Sequence, residues 1–283
     1  MKKRLRGTIS TVLSPEDLRK VYSSYDIAGD IAVFRMPCTS SVNAETIANA
    51  IMNIHGNVKT VLFQSSPVAG DLRLRRLTYV SGENKTTTIH REFGCLFAVD
   101  LSTCYFSPRL SHERMRIASL VKPGETLVNM FAGVGCFSII AAKHSGAAKV
   151  FSIDVNSEAV RFMKENIGLN RVYDKVTPLM GDSKEIINNR LQHRADRVLM
   201  PLPEKALKYL PSAVSALQKS GGWIHYYDFE HAAKTESPIE MVKLKVAEAL
   251  DALSVAFEPP FVRVVRGTGP NWFQLVADVH VID

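Results

Sequence analysis

The spacing of apolar residues differs between two regions of the chain. From residue 111 onward, runs of consecutive apolar residues alternate with segments in which apolar residues recur every three or four positions, typical of buried strands between amphipathic helices. The pattern predicts helices at 111–120, 138–145, 157–168 and 183–191 and strands at 126–130, 149–154, 176–180 and 197–200. Gly168 is expected to end the third helix. Such alternation predicts an α/β fold with a doubly wound, mostly parallel sheet.

The N-terminal region has shorter elements and more strands. Residues 1–58 predict a small N-terminal α/β domain, with a helix capped by Ser14, a strand at 31–34 and a second helix at 46–55. A strand-rich stretch follows, and it carries a basic cluster from Arg73 to Arg76. We therefore predict a domain boundary at residue 58, after which residues 59–283 contain the strand-rich extension and the larger α/β domain.

Composition narrows the class of protein. The 283 residues suffice for one large and one small domain, and no apolar run reaches the ~18 residues that a membrane-spanning helix needs. The basic N-terminus is not followed by an apolar segment of the kind found in signal peptides, so a cytoplasmic location and no membrane partner are expected.

A net charge of +7 is compatible with a polyanionic partner. The four cysteines have neither C-x-x-C nor Cys/His ligand spacing, which favours reduced, structural cysteines and no metal site.

A glycine turn after a buried strand is the strongest chemical signal in the sequence. Gly133 and Gly135 follow the strand predicted at 126–130 and precede a helix, so backbone N–H groups there can approach a ligand closely. Asp154, at the end of the next strand, has the spacing at which a carboxylate accepts the hydroxyls of a ribose. The third glycine of a dinucleotide site is replaced by Ser138. The pattern therefore favours S-adenosylmethionine, and the alternative is a glycine turn that binds no ligand.

Two further segments carry residues suited to binding or catalysis. Asp182, after the strand predicted at 176–180, could accept a hydrogen bond from an adenine amino group or could cap the following helix. Arg109 and Glu113 are spaced i, i+4 just before the first strand of the large domain. They could form a surface ion pair worth under ~1 kcal/mol, or Glu113 could be a general base with arginines nearby, Arg114 among them, to hold an anionic partner.

The C-terminal region adds basic and aromatic residues. Arg263 and Arg266 precede a run of turn-forming residues that ends at Trp272, and this segment is expected to be a loop before the last strand. Such a loop could reach RNA, with Trp272 stacking on a base, although a tryptophan packed in the core is the simpler expectation. His225 and Tyr227 are expected at a strand end, with structural or pocket-lining roles.

These segments together resemble the archaeal and eukaryotic tRNA guanine-N1 methyltransferases that act on guanosine 37, beside the anticodon. The resemblance spans nearly the whole chain and rests on the segments at residues 88–94, 105–114, 130–135, 197–203 and 224–227. It implies a class I, Rossmann-like S-adenosylmethionine methyltransferase domain preceded by a small N-terminal α/β domain. The implied substrate is tRNA, recognised through its anticodon arm.

The resemblance also implies roles for individual residues. Glu113 corresponds to the general base that removes the N1 proton of guanine, and Arg73 to an arginine that hydrogen-bonds O6, where negative charge develops. Asp154 corresponds to the ribose contact and Asp182 to the adenine contact. The cofactor-binding residues that the resemblance implies are Arg109, Phe131, Ala132, Gly133, Gly135, Asp154, Asp182 and Pro203.

Three departures from the family pattern bear on function. Pro201 stands where the family commonly has asparagine, so a side-chain amide contact to the target base is absent. Asn129 stands where aspartate is usual. Met1 corresponds to the start of the second domain of full-length archaeal members, so the chain is expected to lack their N-terminal domain, which touches the outer corner of the tRNA.

Two alternative functions are also compatible with the sequence. Enzymes of the wybutosine pathway use the same cofactor and a similar glycine turn to transfer an aminocarboxypropyl group to a tricyclic guanine derivative. Glu113 and the Leu202-Pro203 pair favour the methyltransferase over this transferase. The other alternative is a non-catalytic RNA-binding protein with a vestigial cofactor site, against which the intact Gly133 and Asp154 argue.

Overall fold

The computed structural model of the chain describes residues 5–10, 13–19, 21, 22, 24–36 and 43–282. The chain divides into two compact units, Met1–Arg109 and Leu110–Asp283. In the described part of the chain, none of the helices combines the length and the apolar character needed to cross a lipid bilayer.

Short helices, a sheet and a hairpin make up the described part of the first unit. Its helices are α1 (Leu5–Ile9), α2 (Pro15–Arg19) and α3 (Ala44–Ile54), and its strands are β1 (Tyr25–Ala28), β2 (Ile31–Phe34), β3 (Thr60–Gln64), β4 (Leu77–Gly82), β5 (Thr87–Glu92) and β6 (Cys95–Asp100). The sheet has the order β1-β2-β3-β4, in which β2 and β3 are parallel and the other neighbours antiparallel. β5 and β6 form the hairpin.

The division between the units lies between Arg109 and Leu110, whereas the sequence predicted a boundary at residue 58. The strand β3 begins after residue 58, yet it pairs with β2 on one side and with β4 on the other. The apolar core of this sheet also draws on both sides of residue 58, through Ile51 and Val61, which have no exposed surface. The strand-rich extension therefore completes the N-terminal sheet.

The second unit is a larger α/β domain. A 3₁₀ turn at Pro108–Leu110 precedes it, and its helices are α4 (Ser111–Leu120), α5 (Cys136–His144), α6 (Ser157–Asn170), α7 (Ser183–Ile186), α8 (Pro203–Ala216) and α9 (Pro238–Asp251). Its strands are β7 (Thr126–Asn129), β8 (Lys149–Asp154), β9 (Val176–Met180), β10 (Arg197–Met200), β11 (Gly222–His231), β12 (Phe261–Gly269) and β13 (Trp272–Val281). The helix predicted at 183–191 is α-helical only in its first part, because Ile187–Leu191 is π-helical.

One sheet runs through the described part of the second unit, in the order β12-β13-β11-β10-β7-β8-β9. From β11 to β9 in this order, neighbouring strands are parallel, whereas β13 is antiparallel to both β11 and β12. The predicted α/β fold with a mostly parallel sheet is confirmed. Ligands of such sheets bind where the strands end, and this carboxyl edge contains Asn129, Asp154, Met180 and Met200.

Apolar side chains on both faces of the parallel strands form the core of the second unit. Leu127 and Val128 of β7, Val198 of β10 and Ile224 of β11 have no exposed surface. Strands covered on both faces have consecutive apolar residues, which is the pattern seen in the sequence. Burial of each such side chain contributes about 1.5–3 kcal/mol relative to leaving it exposed, so the carboxyl edge is built on a rigid support.

Two details of the second unit differ from the sequence predictions. The helix α6 continues past Gly168 and is capped by Arg171, whose φ of 56° lies in the left-handed region. The segment before the last strand is not a loop, because residues Phe261–Gly269 pair with β13 as an antiparallel hairpin. Arg263 and Arg266 are therefore strand residues, and register shifts along β12 accommodate its irregular, glycine-containing sequence.

The cysteines described in the structure are buried thiols, at Cys95, Cys104 and Cys136. Cys38 lies outside the described residues. Among the residues that are described, no group of three His, Cys, Asp or Glu side chains has the arrangement of a metal site.

Candidate active site

The glycine turn between β7 and α5 lies at the carboxyl edge of the large sheet. Gly133 and Gly135 have φ angles of 56° and 92°, in the left-handed region that favours glycine. Gly135 also caps α5 and packs closely, since a Cβ atom there would lie 2.9 Å from Cγ of Met163. The Ala132 N–H donates to the Ile153 carbonyl at 2.8 Å and ties the turn to β8. The path of the backbone therefore favours glycine at both positions, and the packing against Met163 excludes a side chain at Gly135.

Asp154 ends β8, as the sequence predicted, and its carboxylate is hydrogen-bonded to the glycine turn. The Gly133 N–H donates to Oδ2 at 2.6 Å, and the Asn156 N–H donates to Oδ1 at 2.9 Å. Burial raises the pKa of Asp154, and these backbone hydrogen bonds oppose the rise. Each carboxylate oxygen can accept a second hydrogen bond. The arrangement therefore fits the two adjacent hydroxyls of a ribose.

Asp182 follows β9 at the same edge. It caps α7 by accepting from the Lys184 N–H at 2.8 Å, and it also accepts a hydrogen bond from the Tyr209 hydroxyl. The hydroxyl of the neighbouring Ser183 is buried without a hydrogen-bond partner among the described residues. Because an unsatisfied buried polar atom is costly, this hydroxyl is a position at which a polar ligand group fits. Capping by Asp182 and the predicted adenine contact are compatible.

Apolar side chains around these acids remain exposed. Val155 and Met180 expose 48% and 64% of their surface, and the half-buried Phe131 meets the Tyr209 ring edge-on at 5.2 Å. Pro203, the first residue of α8, is buried and follows the end of β10 by three residues. Val155 and Met180 were not singled out from the sequence, although each lies next to a residue that was. Together with the glycine turn and the two acids, these surfaces fit S-adenosylmethionine, whose adenine needs apolar contacts.

Two residues that depart from common patterns contact each other below the glycine turn. Asn129 has no exposed surface and donates from Nδ2 to the Ser138 hydroxyl at 3.1 Å. Its Oδ1 accepts from the Phe131 N–H at 3.4 Å. A neutral amide makes both contacts without burying a charge. Asparagine at this position is therefore matched to the serine that replaces the third glycine.

Glu113 lies in the first turn of α4, and its side chain is only 3% exposed. Arg116 donates from Nε to Oε2 at 2.9 Å and from Nη2 to Oε1 at 2.7 Å. The Tyr227 hydroxyl donates to Oε1 at 2.8 Å, and Nη1 of Arg263 lies 3.6 Å from Oε2. Residues from α4, β11 and β12 thus fix the carboxylate in one orientation.

Arg116 joins Glu113 to a second buried acid. Its Nη1 and Nη2 atoms donate to Asp278 on β13 at 2.6 and 3.2 Å, and Nδ1 of His225 lies 2.5 Å from Asp278 Oδ1. Burial opposes ionisation of Asp278, but the hydrogen bonds from His225 and Arg116 and the charge of Arg116 outweigh it and lower the pKa to about 2. Burial lowers the pKa of His225, with Asp278 opposing and Arg197 adding to the effect.

Arg197 binds the other nitrogen of His225. Its Nη1 lies 2.7 Å from Nε2, and because a guanidinium only donates, Nε2 accepts and the imidazole proton lies on Nδ1. Arg197 also donates from Nε and Nη2 to Glu125 at 2.8 and 3.0 Å. We call these connected, largely buried residues the polar network: Glu113, Arg116, Asp278, His225, Arg197 and Glu125.

Arg73 belongs to the first unit. It lies in a tight turn closed by hydrogen bonds between the backbones of Ala69 and Leu74, at 3.0 and 3.1 Å. Its φ of 54° is uncommon for a residue other than glycine, and its guanidinium lies 4.3 Å from the centre of the Tyr105 ring. The turn and the ring restrict the direction of the side chain, and its role in catalysis stays a prediction.

The arginines that the sequence placed around Glu113 have other partners. Arg109 donates to Asp26 of β1 at 2.5 Å and is 39% exposed. Glu113 itself pairs with Arg116 at i+3, within α4. Arg114 is 4% exposed and lies 5.9 Å from the centre of the Phe137 ring. The cofactor contact of Arg109 stays a prediction.

Comparison with known proteins relates this arrangement to one family. The pattern of the TRM5/TYW2 methyltransferase domain matches residues 88–254, and that of the TYW2 N-terminal domain matches residues 5–86. The chain is 39% identical to the tRNA (guanine(37)-N(1))-methyltransferase Trm5b of Pyrococcus abyssi, over 94% of this chain and 78% of that protein. It is 32% identical to the tRNA 4-demethylwyosine(37)-methyltransferase Taw21 of Saccharolobus solfataricus, over 93% and 96%.

Solved structures agree with this relationship. The chain superposes on aTrm5 in its complex with tRNALeu with a TM-score of 0.83 and 31% identity, covering 99% of this chain and 79% of that one. It superposes on TYW2 of M. jannaschii in complex with AdoMet with a TM-score of 0.67 and 26% identity, covering 92% and 99%. With the glycine turn and its partner acid in place at the carboxyl edge, the chain belongs to the TRM5/TYW2 family of S-adenosylmethionine-dependent methyltransferases.

Proposed function

We propose that this chain transfers a methyl group from S-adenosylmethionine to N1 of guanosine 37 in tRNA, which it binds through the anticodon arm. The observation that carries the proposal is the buried Glu113 carboxylate, held in one orientation by Arg116 and Tyr227. A relative 39% identical over nearly the whole chain is named for this reaction.

The reaction needs a base because N1 of neutral guanine carries a proton and has no lone pair available for the methyl group. The two oxygens of Glu113 offer about four directions for hydrogen bonds. Arg116 occupies two of them and Tyr227 one. The remaining direction lies on Oε2, where Nη1 of Arg263 is 3.6 Å away and too far to donate a hydrogen bond, and it suits the guanine N1–H. The proton therefore moves to Glu113 while N1 forms its bond to the methyl carbon and the carbon–sulfur bond breaks.

Loss of the N1 proton places negative charge on O6 of the guanine. In this proposal Arg73 donates hydrogen bonds to O6 and stabilises that charge, which also favours release of the proton. The restricted turn and the contact with Tyr105 support the role, because a guanidinium whose direction is already fixed loses little freedom when it binds.

The cofactor, when bound, supplies a methyl group on a positively charged sulfur. Asp154 is the proposed ligand of its ribose, and Asp182 with Ser183 the proposed ligands of its adenine. Residues proposed to contact the rest of the cofactor are Arg109, Phe131, Ala132, Gly133, Gly135 and Pro203. The chain accelerates the transfer mainly by holding both reactants in line.

The test is incubation of the purified chain with S-adenosylmethionine and unmodified tRNA transcripts that carry G37 or A37, followed by mass spectrometry of the digested nucleosides. We expect 1-methylguanosine from the G37 transcript alone. An aminocarboxypropyl nucleoside would favour the transferase alternative. Cofactor binding without any product would favour the non-catalytic RNA-binding protein.

A second candidate substrate is 4-demethylwyosine at the same position. The observation that favours it is the match to Taw21, which extends over 96% of that protein at 32% identity. Pro201 is consistent with it, because a residue without a side-chain amide places no polar group that a larger tricyclic base would have to satisfy. The same assay with tRNA that already carries 4-demethylwyosine distinguishes the two substrates by the mass of the methylated nucleoside.

A further inference from the structure

The strands β11, β12 and β13 extend past the carboxyl edge of the parallel strands. The strand β10 pairs with β11 only as far as Met200↔Tyr226, whereas β11 continues from Tyr227 to His231 and pairs there with β13. At ~3.3 Å per residue, these last residues carry the sheet roughly 16 Å beyond the end of β10. The same edge carries the glycine turn and Asp154, so this extension flanks the cofactor-binding residues of the second unit.

The end of this extension presents an exposed tryptophan. Trp272 begins β13, is 46% exposed, and pairs across the strands with His231, whose ring centre lies 5.2 Å away. The residue before it, Asn271, has a φ of 58° and makes the turn from β12. Register shifts in β12 near this turn increase the local twist. Trp272 is therefore held by its partner strand while much of its indole faces solvent.

Basic residues accompany this tryptophan. Arg266 lies on β12 and is oriented by a hydrogen bond from its Nε to Gln274 at 2.8 Å, and the exposed segment after β11 carries Lys234 together with Glu236. The acids near this end of β11, Asp228 and Glu230, alternate with His231 and so lie on the opposite face of the sheet from Trp272, where Lys245 binds both, at 2.9 and 2.5 Å. Their charge is thus partly compensated within the protein, and an approaching polyanion meets an aromatic face beside the Arg266 guanidinium.

An exposed aromatic ring next to basic side chains is the arrangement with which proteins bind unpaired bases of single-stranded nucleic acid. We propose that Trp272 is a stacking platform for an unpaired base of the RNA substrate, on the loop that carries the modified nucleotide. The inference rests on the proposed RNA substrate. It adds a contact that involves neither Glu113 nor the residues proposed to bind the cofactor. The pairing of Trp272 with His231 is compatible with it, because the histidine leaves the exposed part of the indole uncovered.

The chain contains only two tryptophans, which makes a direct test possible. Trp223 lies at the other end of β11, where it stacks on His280 at 4.7 Å. In Trp223→Phe, Trp272 is the sole tryptophan, and in Trp272→Phe, Trp223 is. We expect the fluorescence of Trp223→Phe to be quenched saturably by tRNA, at the dissociation constant measured by filter binding, and that of Trp272→Phe to remain nearly unchanged.

Kinetics of the methyl transfer provide the second measurement. Trp272→Ala is expected to raise the KM for tRNA about tenfold, the scale of losing one base–aromatic stack, with kcat within twofold of wild type. Trp272→Phe keeps a ring and is expected to recover most of the affinity. A tRNA that the wild-type chain methylates but that leaves Trp272 unquenched would overturn the inference, as would quenching of Trp223 alone, since RNA would then bind at the opposite edge.

The two proposals can fail separately. If the wild-type chain methylates no tRNA, the proposed function fails, whatever the fluorescence shows. If it methylates tRNA and both Trp272 measurements are negative, only the stacking inference is lost.

Discussion

Arg116 binds both oxygens of Glu113 with one edge of its guanidinium and both oxygens of Asp278 with the other, at 2.6 to 3.2 Å. A planar group with donors at fixed angles can hold two carboxylates in this way, whereas an ammonium cannot. Arg116 is therefore the residue that sets the orientation of the proposed base, although it is not itself proposed to touch the substrate.

Replacement of this arginine tests its positioning role. Arg116→Lys keeps the charge but loses the fork, and we expect kcat to fall about tenfold to a hundredfold, the cost of a slightly misplaced catalytic group. The KM for tRNA and the affinity for S-adenosylmethionine should change little. The matched control is Arg161→Lys, in an exposed i, i+3 pair with Glu158 on α6, which should leave kcat unchanged. A loss confined to KM would show that Arg116 acts in binding instead.

The base itself is tested by Glu113→Gln. Glutamine has nearly the same shape but cannot take the N1 proton, so turnover should fall by at least ~10²-fold. Binding of S-adenosylmethionine, measured by calorimetry, should be nearly unchanged. An equal loss of cofactor affinity would refute the assignment of Glu113 as the base.

The ribose contact is tested by Asp154→Ala. Hydrogen bonds to a charged group contribute about 1.5–3 kcal/mol, so the affinity for S-adenosylmethionine should fall by more than about tenfold. Because the reacting atoms are elsewhere, kcat at saturating cofactor should fall much less. Glu165→Ala, on the exposed face of α6, serves as the control. Unaltered cofactor affinity in Asp154→Ala would contradict the role.

The polar network predicts how stability depends on pH. Burial holds the pKa of His225 below its unfolded value of about 6.5. The contribution of neutral His225 to the free energy of unfolding is therefore present above pH ~6.5 and is lost as the pH falls toward the folded pKa. The free energy of unfolding, measured in urea, should therefore decrease from pH 7 to pH 5. His225→Gln should be less stable at pH 7 and should have a flatter pH dependence over this range.

The control for this measurement is His144→Gln, at an exposed position on α5, which should keep the wild-type slope. A second loss of stability is expected at lower pH. The pKa of Asp278 is lowered to about 2, so its contribution is present above pH ~4 and disappears as the pH approaches 2. An identical pH dependence in wild type and His225→Gln would show that His225 does not titrate on unfolding.

The proximity of the glycine turn to Asp154 could be predicted because the geometry is local. Gly133 and Gly135 lie in one turn, and Asp154 ends the adjacent parallel strand, so spacing along the chain fixes their distance in space. The Asp182 cap of α7 and the strands β7 to β10 were predictable for the same reason. At the end of α6, where the buried Asn170 continues the helix past Gly168, tertiary packing outweighs the local signal.

The surroundings of Glu113 could not be predicted, because they depend on which strands become neighbours. Tyr227, Arg263 and Asp278 come from three different strands, and antiparallel pairing with β13 brings them to one place. The predicted boundary at residue 58 differs from the structure for the same reason, because only the pairing of β3 with β2 assigns the strand-rich extension to the first unit. The exposed Trp272 depends on how far β11 extends beyond β10.

The acids of the polar network are each held by an arginine, and the neutral His225 bridges Asp278 and Arg197, so removal of either arginine leaves a largely buried carboxylate without its charged partner. The base proposed for the reaction is one end of this series. Substitutions that adapt the enzyme to heat or cold through the network will therefore also alter its turnover, and a tolerated change at one member will require a simultaneous change at the next. In this domain, a substitution in the polar network changes the thermal stability and the turnover at the same time.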